Sequence, residues 1–206
     1  MRNEKVKKLA ILSMFVAIIL LFAFTPIGFI RLGFINATIL HIPVIIGGIL
    51  LGPKYGAALG FLFGLTSLIN NTMAPNPTSF VFSPFVPIIG TESGSPLALI
   101  VCFIPRILVG ITPYYVYKGL SKLFKNTEKV VSYSIAGAIG SLTNTLLVLH
   151  LIYFLFMDSF AYAARMDAVY SVVLGIIATN GIPEAIAATI VTAAICIPVR
   201  LVQKSV

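Results

Sequence analysis

The chain has 206 residues, 59% of them hydrophobic and 10% charged, with a mean hydropathy of +1.05 and a net charge of +8. Water-soluble domains carry about 25% charged residues, so this composition excludes a soluble globule and selects a polytopic membrane protein. The basic residues gather near predicted helix ends, which suits anionic lipid headgroups and argues against a nucleic-acid partner.

A membrane-crossing helix needs roughly 20 residues of low polarity, and six segments qualify. Helix 1 is predicted over 6–24, after Arg2, Lys5, Lys7 and Lys8. Its flanks resemble a signal peptide, but no A-x-A cleavage site follows, so a retained helix is expected. Ala10, Ser13 and Ala17 form a narrow stripe of small side chains on it. Such a stripe lets another helix approach closely in lipid. That helix is either a sister span or a separate membrane subunit.

Helix 2 is predicted over 36–51, the turn "GPKYG" follows, and helix 3 covers 54–70. A polar, proline-rich connection leads to helix 4 at 97–119; helix 5 spans 130–157 and helix 6 spans 170–199. The expectation is an all-α membrane protein, a single domain over 1–206 with six transmembrane helices. Of the 14 Lys and Arg residues, 11 fall at one face: Arg2, Lys5, Lys7, Lys8, Lys54, Lys118, Lys122, Lys125, Lys129, Arg200 and Lys204. Both termini are therefore expected to be cytoplasmic. Arg31 and Arg165 fall at the other face, with the long connections 25–35, 71–96 and 158–169. Long loops on a rigid scaffold carry recognition, so a ligand is expected from outside. No internal repeat supports an inverted-repeat transporter. Cys102 and Cys196 are placed toward opposite faces, which argues against a disulfide.

One cation lies inside the membrane. Arg106 is nine residues past Leu97, roughly 14 Å deep at 1.5 Å per residue. A guanidinium keeps its charge and costs on the order of 3 kcal/mol at a helix centre, so it needs an anion or a wet cavity. Pro105 precedes it and lacks an N–H, which frees the carbonyl of Val101; Pro183 does the same for Thr179. In helix 6, Asn180 and Glu184 are four apart and share a face. Helix 5 adds Asn144, with Ser141 and Gly137 on the same stripe, and His150 lies nearer the outer end on an adjacent face. An outward-open cavity floored by Arg106, Asn144, Asn180 and Glu184 is expected; the alternative is a structural Arg106–Glu184 pair. His41 and His150 form no metal-binding pattern, so no metal is expected and packing or hydrogen bonding suits them. No nucleophile is paired with a base at a recognisable spacing, which disfavours an intramembrane enzyme, and no filter motif suggests a channel.

The segments "HIPVIIGGILLGPKYGAALGFLFG" and "NGIPEA", with six helices and the small-residue stripe on helix 1, resemble the substrate-binding S components of energy-coupling factor (ECF) vitamin transporters. Nearly the whole chain shares the resemblance. "TSLINNTMAPNPTSFVFSPF" is most similar to the pantothenate branch. The resemblance implies a protein of the bacterial cell membrane that captures a vitamin outside and uses no cofactor. A transmembrane coupling subunit and two ATPases drive release inside, which agrees with the absence of a G-x4-G-K-[ST] loop here. The family's Ala-x3-Ala motif, which contacts the coupling subunit, becomes Ser13-x3-Ala17 in this chain, with Ala10 one turn earlier. For pantothenate, Arg106 suits the carboxylate, while Asn144, Asn180 and Glu184 suit the amide and hydroxyls. His150 is carried with them as a further candidate. Phe80, Phe82 and Phe85 would cover the apolar part, with Asn70, Asn71, Thr78 and Ser79 at the rim or simply capping the loop. Pyridoxine, hydroxymethylpyrimidine and folate are the alternative substrates.

Overall fold

The structure is a computed structural model that describes residues 2–25, 28–32, 35–123, 129–164 and 169–205. Arg165 and Lys125, both used above to orient the chain, lie outside the described residues. The element order is α1 (Arg2–Ala23), β1 (Phe29–Leu32), β2 (Ile35–Thr38), α2 (His41–Leu51), α3 (Pro53–Met73), a 3-10 turn (Ser79–Val81), α4 (Ala98–Leu123), α5 (Lys129–Ala164), α6 (Val169–Ile176), a π-helical segment (Ile177–Gly181) and α7 (Ile182–Ser205). The last three run on as one interrupted rod, so the six expected helices are present. Among the described residues, four helices are long and apolar enough to cross a membrane: Lys5–Ala23, Ala98–Leu123, Val130–Met157 and Val173–Arg200. The protein is a multi-pass membrane protein.

Several expected boundaries change. Residues 36–38 are not helical: β2 pairs antiparallel with β1, with Phe29 opposite Thr38 and Leu32 opposite Ile35. The hairpin satisfies backbone groups that a bare loop would leave for water. It shortens α2 to 11 residues, about 17 Å, well under the ~30 Å hydrocarbon core. Except for Leu50, every residue of α2 is buried, so this helix is the centre of the bundle. α5 runs on to Ala164, past the predicted end at 157, with its helical dihedrals broken at Phe156 (φ −138°, ψ 22°). At that break the Phe156 ring is buried edge-on against Phe80, 6.0 Å between centroids.

The expected "GPKYG" turn contracts to Gly52, because Pro53–Gly56 already form the first turn of α3. Gly52 adopts φ 101°, where a side chain would be strained, and its N–H caps the Gly48 carbonyl at 3.0 Å. Pro53 then opens α3, where a missing N–H costs nothing.

Apolar burial does not drive helices together in lipid; close packing does. α3 presents Gly56, Gly60 and Gly64 at every fourth position to α4. A Cβ at Gly60 would collide with the carbonyl oxygen of Arg106, and one at Gly56 with that of Gly110. This backbone-to-backbone seam fixes the depth and rotation of Arg106. On one side lies a cluster of Phe15, Ile19, Leu40, Ile45, Ile49, Leu59 and Phe63. On the other, Phe80 and Val81 from the α3–α4 loop pack with Ala98, Val101, Val148, Ile152 and Phe156.

Candidate functional site

The site is built around the Pro105–Arg106 step of α4. In a regular helix the N–H of residue 105 would bond the Val101 carbonyl; proline has none to give. The guanidinium of Arg106 takes that carbonyl instead, Nη1 donating to Val101 O at 2.7 Å. The side chain of a helical residue leans toward the helix N-terminus, which carries the guanidinium back to that carbonyl. Arg106 is 6% exposed, so its side chain lies inside the bundle.

Two rings hold it. The guanidinium carbon lies 5.5 Å from the Phe63 ring centre and 4.9 Å from that of Phe82. Both fall within the ~6 Å range of cation–π attraction, worth up to about 2 kcal/mol when desolvated. Phe63 comes from α3, and Phe82 from the loop, so the loop closes directly on the charge. The Nε of Arg106 is buried and without a hydrogen-bond partner. The Glu184 carboxylate and the Cys102 thiol both lie close enough to act on the guanidinium electrostatically.

α5 and the interrupted last rod supply the remaining polar groups. Pro183 removes another helical N–H, and the backbone changes register just before it. The Ile182 N–H bonds the Ile177 carbonyl five residues back, which makes the π turn. That turn buries Asn180 and Gly181, while Glu184 is only half-buried, so the two residues read as sharing one face differ in environment. Gly181 lets the rod approach α5, since a Cβ there would meet the Thr145 methyl at 3.0 Å. One turn on, Thr145 Oγ1 donates to Glu184 Oε2 at 3.4 Å. Asn144 is 7% exposed, and its Oδ1 is buried without a hydrogen-bond partner; the Ser141 hydroxyl is in the same condition. Leaving such groups unmet costs about 1–3 kcal/mol each. Arg106 on α4, Thr145 on α5 and Glu184 on α7 are thus drawn together, and Asn144 and Ser141 on α5 keep unused hydrogen-bonding atoms.

The loop residues are spent differently. Asn71 Oδ1 accepts from Ser79 Oγ at 2.8 Å, and Asn76 Oδ1 accepts from the Thr78 N–H and hydroxyl at 2.9 and 2.8 Å. Ser79 Oγ also accepts from the Asn76 N–H at 2.9 Å. Asn, Ser and Thr brace loops through such local bonds. Asn70 Nδ2 donates to the Ala23 carbonyl at 2.7 Å, which ties α3 to the end of α1. Asn70, Asn71, Thr78 and Ser79 therefore build the loop and its attachment, and Phe80 anchors it with a fully buried ring. Phe85 is 74% exposed. His150 stands on an exposed face of α5, its Nδ1 against the Leu146 carbonyl at 2.7 Å, and is not among the converging groups.

Sequence reasoning missed Phe63, Thr145 and the glycine seam. The seam had a signal, glycine at every fourth residue of α3. Phe63 lies three residues past Gly60, hence on the same face.

On α1, Phe15, Ile19 and Ala23 are buried, whereas Ala10, Ser13 and Ala17 are exposed. Ser13 donates its hydroxyl to the Leu9 carbonyl at 2.9 Å, which leaves a smooth, small-residue surface.

The family described as "ECF transporter, substrate-specific component" matches residues 7–196. The chain is 43% identical over 198 residues to the pantothenic acid transporter PanT of Lactococcus lactis subsp. cremoris, covering 95% of this chain and 94% of the relative. It is 31% identical over 207 residues to the pantothenate transporter PanT of Leuconostoc mesenteroides subsp. mesenteroides, covering 95% and 93%. A family match over this span, with relatives that align nearly end to end, leads to one conclusion: the chain belongs to the substrate-specific components of ECF transporters.

Proposed function

We propose that this protein captures pantothenate at the outer face and passes it to an ECF module of one transmembrane coupling subunit and two ATPases. The names of the two relatives support the substrate. The observation that carries the reading is Arg106, buried between Phe63 and Phe82 with one Nη1 bond to Val101 and an unused Nε. Pantothenate brings one carboxylate, an amide, two hydroxyls and a gem-dimethyl group. Its carboxylate pairs with the Nε edge of Arg106, a charge-assisted contact that a guanidinium makes bidentately. The unused Asn144 Oδ1 accepts from a ligand hydroxyl or amide N–H, and Asn180 and Glu184 complete the polar wall. Phe82 and the loop behind it cover the apolar part and exclude water, which strengthens every charged contact inside.

The distribution of Lys and Arg supports cytoplasmic termini, which turns the α3–α4 loop outward. The exposed Ala10, Ser13 and Ala17 stripe supports docking of the coupling subunit on α1 rather than of a sister helix. Mass spectrometry of small molecules extracted from the purified protein tests the substrate. Pantothenate recovered unchanged is the expected result. Pyridoxine, hydroxymethylpyrimidine, folate or a chemically altered product contradicts the reading.

A further inference from the structure

Two prolines lie in helices beside the polar groups, and the backbone around them differs. At Pro183 it changes register, a π turn immediately preceding the proline. At Pro105 the α-helix continues from Ala98 to Leu123 and the freed carbonyl goes to a side chain, Arg106 Nη1 at 2.7 Å. That bond does two things for the guanidinium. It gives a desolvated cation an acceptor inside its own helix, and it fixes the plane of the group between Phe63 and Phe82. With Nη1 held there, the unbonded Nε edge keeps one orientation before any ligand arrives. Pre-orientation of this kind raises affinity because less freedom is lost on binding.

We infer that Pro105 is a positioning residue for substrate: its missing N–H reserves the Val101 carbonyl for Arg106 and so aims the guanidinium at the ligand's carboxylate. The inference rests on the reading of Arg106 as the carboxylate site. An alanine at 105 restores a backbone N–H that shares or displaces the Nη1 bond, while leaving a better helix former behind. The empty protein should then be as stable as before or more so, yet bind worse. A purely structural proline predicts the reverse pairing.

The test measures the Kd of pantothenate and of its neutral carboxamide for full-length wild type, Pro105→Ala, Arg106→Ala and the double variant, with thermal unfolding of each empty protein. The expected result is a loss of at least tenfold for pantothenate in Pro105→Ala and under threefold for the carboxamide. The empty variant's melting temperature should be unchanged or raised, and Pro105→Ala should cause no further loss once Arg106 is alanine. Unchanged pantothenate affinity in Pro105→Ala, an equal loss for both ligands, or losses that multiply in the double variant overturn the inference while Arg106→Ala still discriminates the ligands. If Arg106→Ala itself leaves pantothenate affinity intact, the carboxylate site is refuted and the positioning role falls with it.

Discussion

Gly60→Ala probes the frame that holds the site. The added Cβ would stand 2.8 Å from both the Arg106 carbonyl carbon and the Ile107 Cα, where ordinary contact begins at 3.4 Å, and nearer still to the Arg106 carbonyl oxygen. All three are backbone atoms, so no side chain can swing away, and α4 must retreat by roughly 1 Å. Overpacking of this kind costs about 1–3 kcal/mol. The shift also separates the guanidinium on α4 from the Phe63 ring on α3, now 5.5 Å apart. The cation–π contact weakened by that shift is worth up to about 2 kcal/mol, so at about 1.4 kcal/mol per tenfold pantothenate affinity should fall by up to about 30-fold. Calorimetric titration reads the affinity, and thermal unfolding of the empty protein reads the packing. Gly119→Ala, on α4, is the matched control: nothing lies within 4 Å of a Cβ there. It should leave affinity unchanged and raise stability by about 0.5–1 kcal/mol at most. Wild-type behaviour of Gly60→Ala in both assays, or equal damage from Gly119→Ala, would refute the seam as the element that places Arg106.

Other consequences are equally specific. Asn144→Leu removes a buried acceptor with no partner, so the empty protein should gain about 1 kcal/mol in thermal unfolding while pantothenate binding weakens at least tenfold; a stability loss with intact binding contradicts the role given to Oδ1. Phe82→Ala strips one ring from the guanidinium 4.9 Å away, and titration should show about 5- to 30-fold weaker binding, roughly 1–2 kcal/mol. Ala17→Leu adds bulk to the exposed α1 stripe; co-purification with the coupling subunit should be lost while the Kd for pantothenate stays at its wild-type value.

Much of the frame was legible because it depends on local rules. The Gly52–Pro53 turn follows from glycine's tolerance of positive φ and proline's preference for a first helical turn. The freed Val101 carbonyl follows from counting four residues back from Pro105, and the buried charge beside it uses that carbonyl. The hairpin was hidden because Ile35–Thr38 is only four residues long and runs into the apolar stretch of α2, which a helix reading absorbs. The same limit applies to the π turn. Pro183 announces that a bond is lost, but not that the backbone changes register before it, where Gly181 packs closely against Thr145. Asn71, Thr78 and Ser79 show the reverse difficulty: polar loop residues suit a ligand or each other equally well until the loop's path brings them together. Phe82 over Arg106 is a contact across 24 positions that no local pattern encodes.

A structure of the protein with pantothenate bound decides whether Arg106 holds the carboxylate, through the distance between the two groups. A carboxylate oxygen is expected within about 3 Å of Nε, with Nη1 still on Val101 O. A carboxylate held at the loop rim, with the gem-dimethyl end or a hydroxyl facing the guanidinium, would contradict this role of Arg106.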